Sequence, residues 1–379
     1  MDKDLNFRSG RYMQQLGDYK AFIPNSLPLI PPLNIDPEML VILSQADQAI
    51  GRLDSAVDRL PNPDLFVMMY VRKEAVLSSQ IEGTQASLDD LLEYEASVRK
   101  RGLASEVEEI SNYVVAMNYG LAALKELPLS LRIIKEVHAR LLSGVRGEDK
   151  RPGEFRNSQN LIGPTGATLK EATFVPPPPN EVMSVMGDLE EFWHSAAPLP
   201  VLIKCGLVHS QFETIHPFLD GNGRIGRLLI TLMLCWGEVL SKPLLYISHY
   251  FKQHRSEYED RLQMVRDNDE WEEWIKFFLE AVRSVAGEAA ETASKIIALR
   301  EEHRELVGGK LRSSPRALML LDQLFEHFYV SVNIIKQILN CSYSTANNIV
   351  SEFTELGLLV ERTGRSRNRS FAYQPYLNL

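Results

Sequence analysis

Apolar residues recur at helical spacing along most of the chain. After Asp36-Pro37, a helix start with proline at its first position, Leu40, Leu43, Ala46, Ile50, Leu53 and Val57 share one face until Pro61 and Pro63 stop it. A second helix is expected from about 64 to 82, with Gly83 where a left-handed terminator belongs. Ser87-x-x-Asp90 and Ser105-x-x-Glu108 head helices of about 88 to 100 and 106 to 124, and Ser130 caps another to about Leu142. Asn180 caps a helix to about His194, and a further helix from about 200 to 213 is followed by an apolar one ending at Trp236. Helices through Tyr250, Tyr258 and Leu262 and from Asp269-Glu270-Trp271 come next. A long polar helix from about 288 to 306 then ends at Gly308-Gly309. The chain reads as mainly α.

Three stretches depart from this period. Residues 1–35 are Pro-rich and read as an irregular, extended arm laid over a helical body. Asn160-Leu161-Ile162-Gly163 and Thr173-Phe174-Val175 are short β-prone runs joined by turn chemistry at Gly163-Pro164-Thr165-Gly166, and Pro176–Pro179 form a stiff exit. Residues 310–379 hold three helical stretches, an apolar strand at 357–360, an arginine-rich turn and Phe371-Ala372-Tyr373.

Composition adds bounds. The 379 residues are 45% hydrophobic and 24% charged, as in an ordinary globular protein. The net charge of -9 argues against wholesale coating of nucleic acid, yet the last 70 residues carry eight Lys/Arg against five Asp/Glu. Cys205, Cys235 and Cys341 are scattered, which fits a reducing compartment. The N-terminus lacks the apolar core of a signal peptide, and no run approaches the roughly eighteen apolar residues of a membrane span, so a cytoplasmic location is expected.

The candidate chemistry is concentrated in residues 215–227, Ile-His-Pro-Phe-Leu-Asp-Gly-Asn-Gly-Arg-Ile-Gly-Arg. His216 titrates near neutrality and Asp220 suits Mg²⁺. Gly221, Asn222 and Gly223 make a turn at a helix start, and Arg224 and Arg227 follow on one helix face. A helix N-terminus, a backbone nest and two arginines describe a phosphate site. Base, metal ligand and phosphate cradle together point to phosphoryl or nucleotidyl transfer. Glu82, in the last turn of its helix, is either a solvated surface residue or is matched there by a cation.

The run His216–Arg227 resembles the full signature of the Fic family, HPFx[DN]GNGRxxR. Ser78-x-x-x-Glu82-Gly83 resembles that family's inhibitory [ST]xxxE[GN] motif, and Pro152–Arg156 the segment leading into its flap. The resemblance implies a Fic helical bundle with a β-hairpin flap, and a protein adenylyltransferase that moves AMP from ATP, with Mg²⁺, to a Ser, Thr or Tyr hydroxyl of a protein, itself included. His216 would then be the base and Asp220 the metal ligand. Gly221, Asn222, Gly223 and Arg224 would hold the nucleotide phosphates, and Arg227 the γ-phosphate. Glu82, with Ser78 and Gly83, would inhibit by engaging Arg227. Tyr258 would line the adenine pocket, and Leu161, Ile162 and Gly163 in the flap would pin the target by strand addition. The alternatives are removal of AMP by the same site, or a DNA-binding regulator whose Fic core senses nucleotide. A lysine in place of Gly223 would have indicated a kinase relative. His209 is read as a packing residue.

The C-terminal stretch resembles a winged helix-turn-helix, with Arg362, Arg365, Arg367 and Arg369 on the wing, facing either DNA or a protein partner. The expected domains are an N-terminal helical region carrying the inhibitory motif (1–104), a catalytic core (105–290), a connecting helix (291–309) and the winged helix (310–379). A homodimer is compatible with all of this, and no membrane contact is implied.

Overall fold

The computed structural model describes residues 7–96, 105–164, 166–311, 314–364 and 369–378. The chain divides into two compact units: residues 1–50 with 69–286, and residues 51–68 with 287–379.

The first unit opens with an antiparallel hairpin, β1 (Gly10–Gln15) and β2 (Tyr19–Pro24), in register from Gly10↔Pro24 to Gln15↔Tyr19. This corrects the reading of residues 1–35 as an irregular arm. Tyr12 pairs with Phe22 and Met13 with Ala21 across a turn in which Gly17 and Asp18 both take positive φ, 98° and 63°. The prolines that argued against structure all lie beyond Ile23. Arg8 anchors the segment, its guanidinium reaching Asp269 at 2.7 Å and Glu272 at 2.8 Å.

Helices α1 (Pro37–Val57), α2 (Pro63–Ile81), α3 (Leu88–Ala96), α4 (Ser105–Ala123) and α5 (Leu131–Leu141) follow. Their starts are the expected ones. Asp36 Oδ1 accepts from Met39 N at 2.8 Å, the Ser87 and Asp90 side chains exchange bonds with each other's backbone, and Ser130 caps α5. The last residues of the helix expected over 88 to 100 fall in 97–104, which lie outside the described residues.

Next come α6 (Val182–His194), α7 (Val201–Ile215), α8 (Asn222–Trp236), α9 (Ser248–Gln253) and α10 (Arg255–Asn268). Asn180 does not cap α6: the N-cap is Glu181, and the Asn180 amide bonds to the Glu181 carboxylate. In α7, every residue from Leu202 to Ile215 except Lys204 is buried, so this helix is the axis of the unit.

The β-hairpin expected at 159–179 reduces to one bridge, Ile162↔Phe174, closed by N–H···O bonds of 2.9 and 3.0 Å. Pro164 and Pro176 each lack a donor where the ladder would grow. The Val175 carbonyl instead accepts from Phe22 of β2 at 2.9 Å.

α11 (Trp271–Lys310) is one helix of 40 residues, correcting the expectation of two helices. Gly308-Gly309, expected to end it, lie inside its last turn. The division between the units falls within α1, α2 and α11.

The second unit also contains α12 (Ser314–Leu324), β3 (Tyr329–Ser331), α13 (Val332–Ile338), α14 (Tyr343–Glu355), β4 (Leu359–Glu361), β5 (Ser370–Tyr373) and α15 (Gln374–Leu377). The strands form an antiparallel sheet in the order β3-β5-β4. Leu320, Leu321, Ile335, Ile349, Phe353 and Phe371 are buried here, and Ser331 and Ser342 cap α13 and α14. Among the described residues, no helix is long and apolar enough to cross a membrane.

Candidate active site

α7 ends where its chain turns left-handed. His216 is the C-cap residue, with φ 50° and ψ 60°, and its N–H bonds to Phe212 O at 2.9 Å. Positive φ is costly for a residue with a Cβ and persists only where neighbours impose it. Buried Arg156 donates from Nε to His216 O at 2.9 Å and from Nη2 to Pro177 O at 2.6 Å. Asn160 Nδ2 donates to His216 O and Phe218 O, at 3.1 and 3.0 Å. The Asn222 amide closes on Phe218, accepting from its N at 2.8 Å and donating to its O at 2.9 Å. The Asn222 side chain is therefore committed to the loop, leaving only its backbone N–H for a ligand.

His138 supports the loop from α5. Its Nδ1 accepts from Gly153 N at 2.8 Å, so Nε2 carries the proton given to Asp220 O at 3.0 Å. Its ring stacks on Phe218, and burial pushes its pKa down to about 4. Nothing in the sequence marks His138 or Asn160 as part of the site, and Arg156 is marked only by the resemblance of the flap-leading segment.

His216 itself is kept neutral. Burial first, then the positive fields of Arg266 and Arg156, push its pKa down to about 4. Its Nδ1 lies 3.9 Å from Glu213 Oε2. Glu213 is buried and Oε1 has no hydrogen-bond partner; burial pushes its pKa up to about 7.

α8 begins at Asn222 with Gly221 as N-cap, φ 76°, so the free N–H groups of its first turn open beside Asp220 and His216. Arg224 and Arg227 are both buried. Arg224 faces Glu109 at 3.4 Å and Asp220 at 3.7 Å, and its Nε has no partner. The Asp220 carboxylate is one-third exposed and accepts from Gly221 N at 2.6 Å. Among the described residues no group of three or more His, Cys, Asp or Glu could hold a metal. One open carboxylate beside a phosphate cradle suits Mg²⁺ that arrives with its nucleotide and is mostly held by phosphates and water.

Arg227 is already occupied. Nε donates to Ser78 Oγ at 2.9 Å, and Nη2 donates to Ser78 O at 3.0 Å and to Glu82 Oε1 at 2.6 Å. Burial disfavours the Arg227 charge, but Glu82 outweighs it and the pKa is raised. Burial likewise opposes the Glu82 charge; Arg227 prevails and holds that carboxyl low. Gly83, φ 99°, turns the chain away as expected of a terminator. Gly223 has a second reason to be glycine: a Cβ there would lie 2.3 Å from Glu82 Oε1 and 3.0 Å from Arg227 Nη1.

Tyr258 departs from its expected position. It is 4% exposed, stacks on Phe251, and its hydroxyl bonds to His209 Nε2 at 2.9 Å. His209 in turn donates from Nδ1 to Gly226 O at 3.1 Å, so Nε2 is the acceptor and Tyr258 the donor. Tyr258 is thus a buried support, not an open wall for a base. His209 is the packing residue expected. Leu161 and Ile162 are half-buried and Gly163 is exposed. In the second unit, Arg362 is exposed and Arg369 Nη2 donates to Asn347 Oδ1 on α14 at 3.0 Å, while Arg365 and Arg367 lie outside the described residues.

Two family models match the chain: Fic/DOC family N-terminal over residues 40–122, and Fic/DOC family over residues 128–234. Curated relatives named protein adenylyltransferase Fic include one from Drosophila virilis, 31% identical over 245 residues, which are 62% of this chain and 45% of that protein. One from Aedes aegypti is 33% identical over 244 residues, 60% of this chain and 45% of that protein. The chain thus spans about half the length of these relatives. Among solved structures, a Fic family protein from Desulfovibrio desulfuricans superposes with a TM-score of 0.61 at 21% identity, over 90% of this chain and 97% of that one. A Fic domain containing signaling protein from Bacteroides thetaiotaomicron gives 0.54 at 20% identity, over 67% and 97%. Both share the mainly helical fold.

Proposed function

The chain belongs to the Fic/DOC family, and from that premise we propose that it is a protein adenylyltransferase, moving AMP from Mg-ATP to a protein hydroxyl and restrained by Glu82. The observation that carries this reading is the convergence at the start of α8: a neutral histidine, an open carboxylate and two buried arginines around free N–H groups.

His216 acts as the general base. Its Nδ1 side faces Glu213, so Nε2 takes the proton of the acceptor hydroxyl. The hydroxyl oxygen bonds to the α-phosphorus as the bond to the β-phosphate breaks, and pyrophosphate leaves with the electron pair. The first-turn N–H groups of α8 and Arg224 hold the phosphates, and Mg²⁺ on Asp220 would neutralise charge developing on them. Arg227 receives the γ-phosphate once Glu82 withdraws. The bridge at Ile162 and the exposed Gly163 offer a backbone edge for the target segment.

Incubation with α-labelled and γ-labelled ATP tests the reading: α-label alone should pass to protein. Transfer of γ-label would make the chain a kinase. The placement of the Glu82 carboxylate at the site supports a second reading, in which it orients water to remove AMP. For the second unit we read α12–α14 and the β3-β5-β4 sheet as a winged helix that binds nucleic acid, a role supported by the net positive charge of residues 310–379.

A further inference from the structure

Glu109 and Arg146 adjoin the site but have no part in the steps above. Glu109 lies on α4 and is buried. Its Oε2 faces two guanidinium groups, Arg224 at 3.4 Å and Arg146 at 3.5 Å. The two arginines differ in setting. Arg224 is 1% exposed, while the Arg146 side chain, on the loop after α5, is 58% exposed.

That loop is pressed against the metal-ligand candidate. A Cβ at Gly147 would lie 2.8 Å from Asp220 Oδ2. Arg146, the residue before Gly147, is therefore on the loop that borders Asp220, where Mg²⁺ and the nucleotide phosphates would meet. Glu109 and Asp220 together balance the two guanidinium groups, so Mg²⁺ on Asp220 would leave a surplus positive charge at this point. Arg224 Nε is buried and has no partner. A second cation drawn to a carboxylate already paired suffers repulsion from the first, which an anion lying between them would relieve.

We propose that Arg146 is a further substrate-binding residue that, together with Arg224, grips the β- and γ-phosphates of ATP and the pyrophosphate that leaves. Glu109 is the positioning residue that holds both guanidinium groups. The inference rests on the adenylyltransfer reading. As the acceptor oxygen–Pα bond forms, the Pα–O bond to the β-phosphate breaks and its electron pair stays on the bridging oxygen. The hydroxyl proton passes to His216. Charge thus grows on pyrophosphate, where the arginine pair is best placed to meet it. AMP has no such group, so Arg146 discriminates triphosphate from monophosphate.

The test uses the full chain carrying Glu82→Gly, which frees Arg227, and His216→Ala, which prevents turnover. Mg-ATP and AMP are titrated by calorimetry into this parent and into the same chain with Arg146→Ala or Arg146→Lys. Arg146→Ala should weaken ATP about tenfold and leave AMP within about twofold, and Arg146→Lys should recover part of the loss. Unchanged ATP affinity in Arg146→Ala, or equal losses for ATP and AMP, would overturn the assignment of Arg146. A parent that binds neither nucleotide would overturn the adenylyltransfer reading as well, a result distinct from the first two. Thermal melts of each variant establish that the fold is kept.

Discussion

Oε1 of Glu82, one residue beyond the end of α2, lies 2.6 Å from Arg227 Nη2 on α8, and Gly223 leaves the space in which this contact forms. The same guanidinium also takes Ser78 through both its hydroxyl and its carbonyl. An arginine so engaged has little left for a phosphate.

Glu82→Gly should therefore raise AMP transfer, by on the order of a hundredfold if one charge-assisted contact is restored. Adding Arg227→Ala should cancel most of the gain, because the two changes share one contact. Auto-modification by α-labelled ATP checks this. Equal rates for Glu82→Gly and parent, with the fold intact, would return Glu82 to the status of a surface residue.

His216→Ala should abolish transfer and leave ATP affinity close to parental, since the base acts on the acceptor hydroxyl. The pH profile is also specified. A base with pKa about 4 stays neutral well below 6.5, so kcat/KM should fall on its acid side near pH 4. An acid limb centred near 6.5 would show that His216 is not held neutral by its surroundings.

Asp220→Ala should remove the Mg²⁺ response together with most activity. A variant that transfers AMP at the parental rate and with the parental metal dependence would move the metal ligand elsewhere.

Stability should depend on acid in a way that Glu213 moderates. His138, His209 and His216 have folded pKa values of about 4, 3 and 4, each below the ordinary 6.5. The unfolded chain takes up these protons first, so the histidine contribution is present above 6.5 and is lost as pH falls towards 4. Glu213 has the opposite sign: its folded pKa of about 7 exceeds 4.5, so it adds stability as pH falls from 7 to 4.5. Glu213→Gln deletes that offset. Its unfolding free energy should fall more steeply between pH 7 and 5 than the parent's, by about 1.4 kcal/mol per pH unit. Denaturant melts across this range measure it, and parallel slopes would refute it.

Replacing Arg362, Arg365, Arg367 and Arg369 together should weaken DNA binding and flatten its salt dependence, while auto-modification survives. If the parent shows no mobility shift with DNA, the second unit is instead a protein-recognition module.

The sequence by itself determined the helices whose signals are local. Asp36, Ser87 and Ser130 start them as read, because a cap acts within four residues of itself. It also determined the candidate chemistry, since His216, Asp220, Arg224 and Arg227 are brought together by one turn and one helix. The hairpin at 10–24 was legible in its Gly17-Asp18 turn but was masked by the prolines that follow it. Only the tertiary structure decided the rest. Glu82 and Arg227 are 145 residues apart, and Arg156 and His138 reach the loop from 60 and 82 residues away. No periodicity encodes such distances. Tyr258 turned inward because the core offered its hydroxyl a partner in His209, a choice set by packing between α7 and α10. The outer edge of the flap met β2, where the Val175 carbonyl accepts from Phe22 N. Capping and periodicity are short-range forces and can be read along the chain. The pairing of buried charges and the filling of space depend on which distant surfaces meet, and that is decided only when the helices pack.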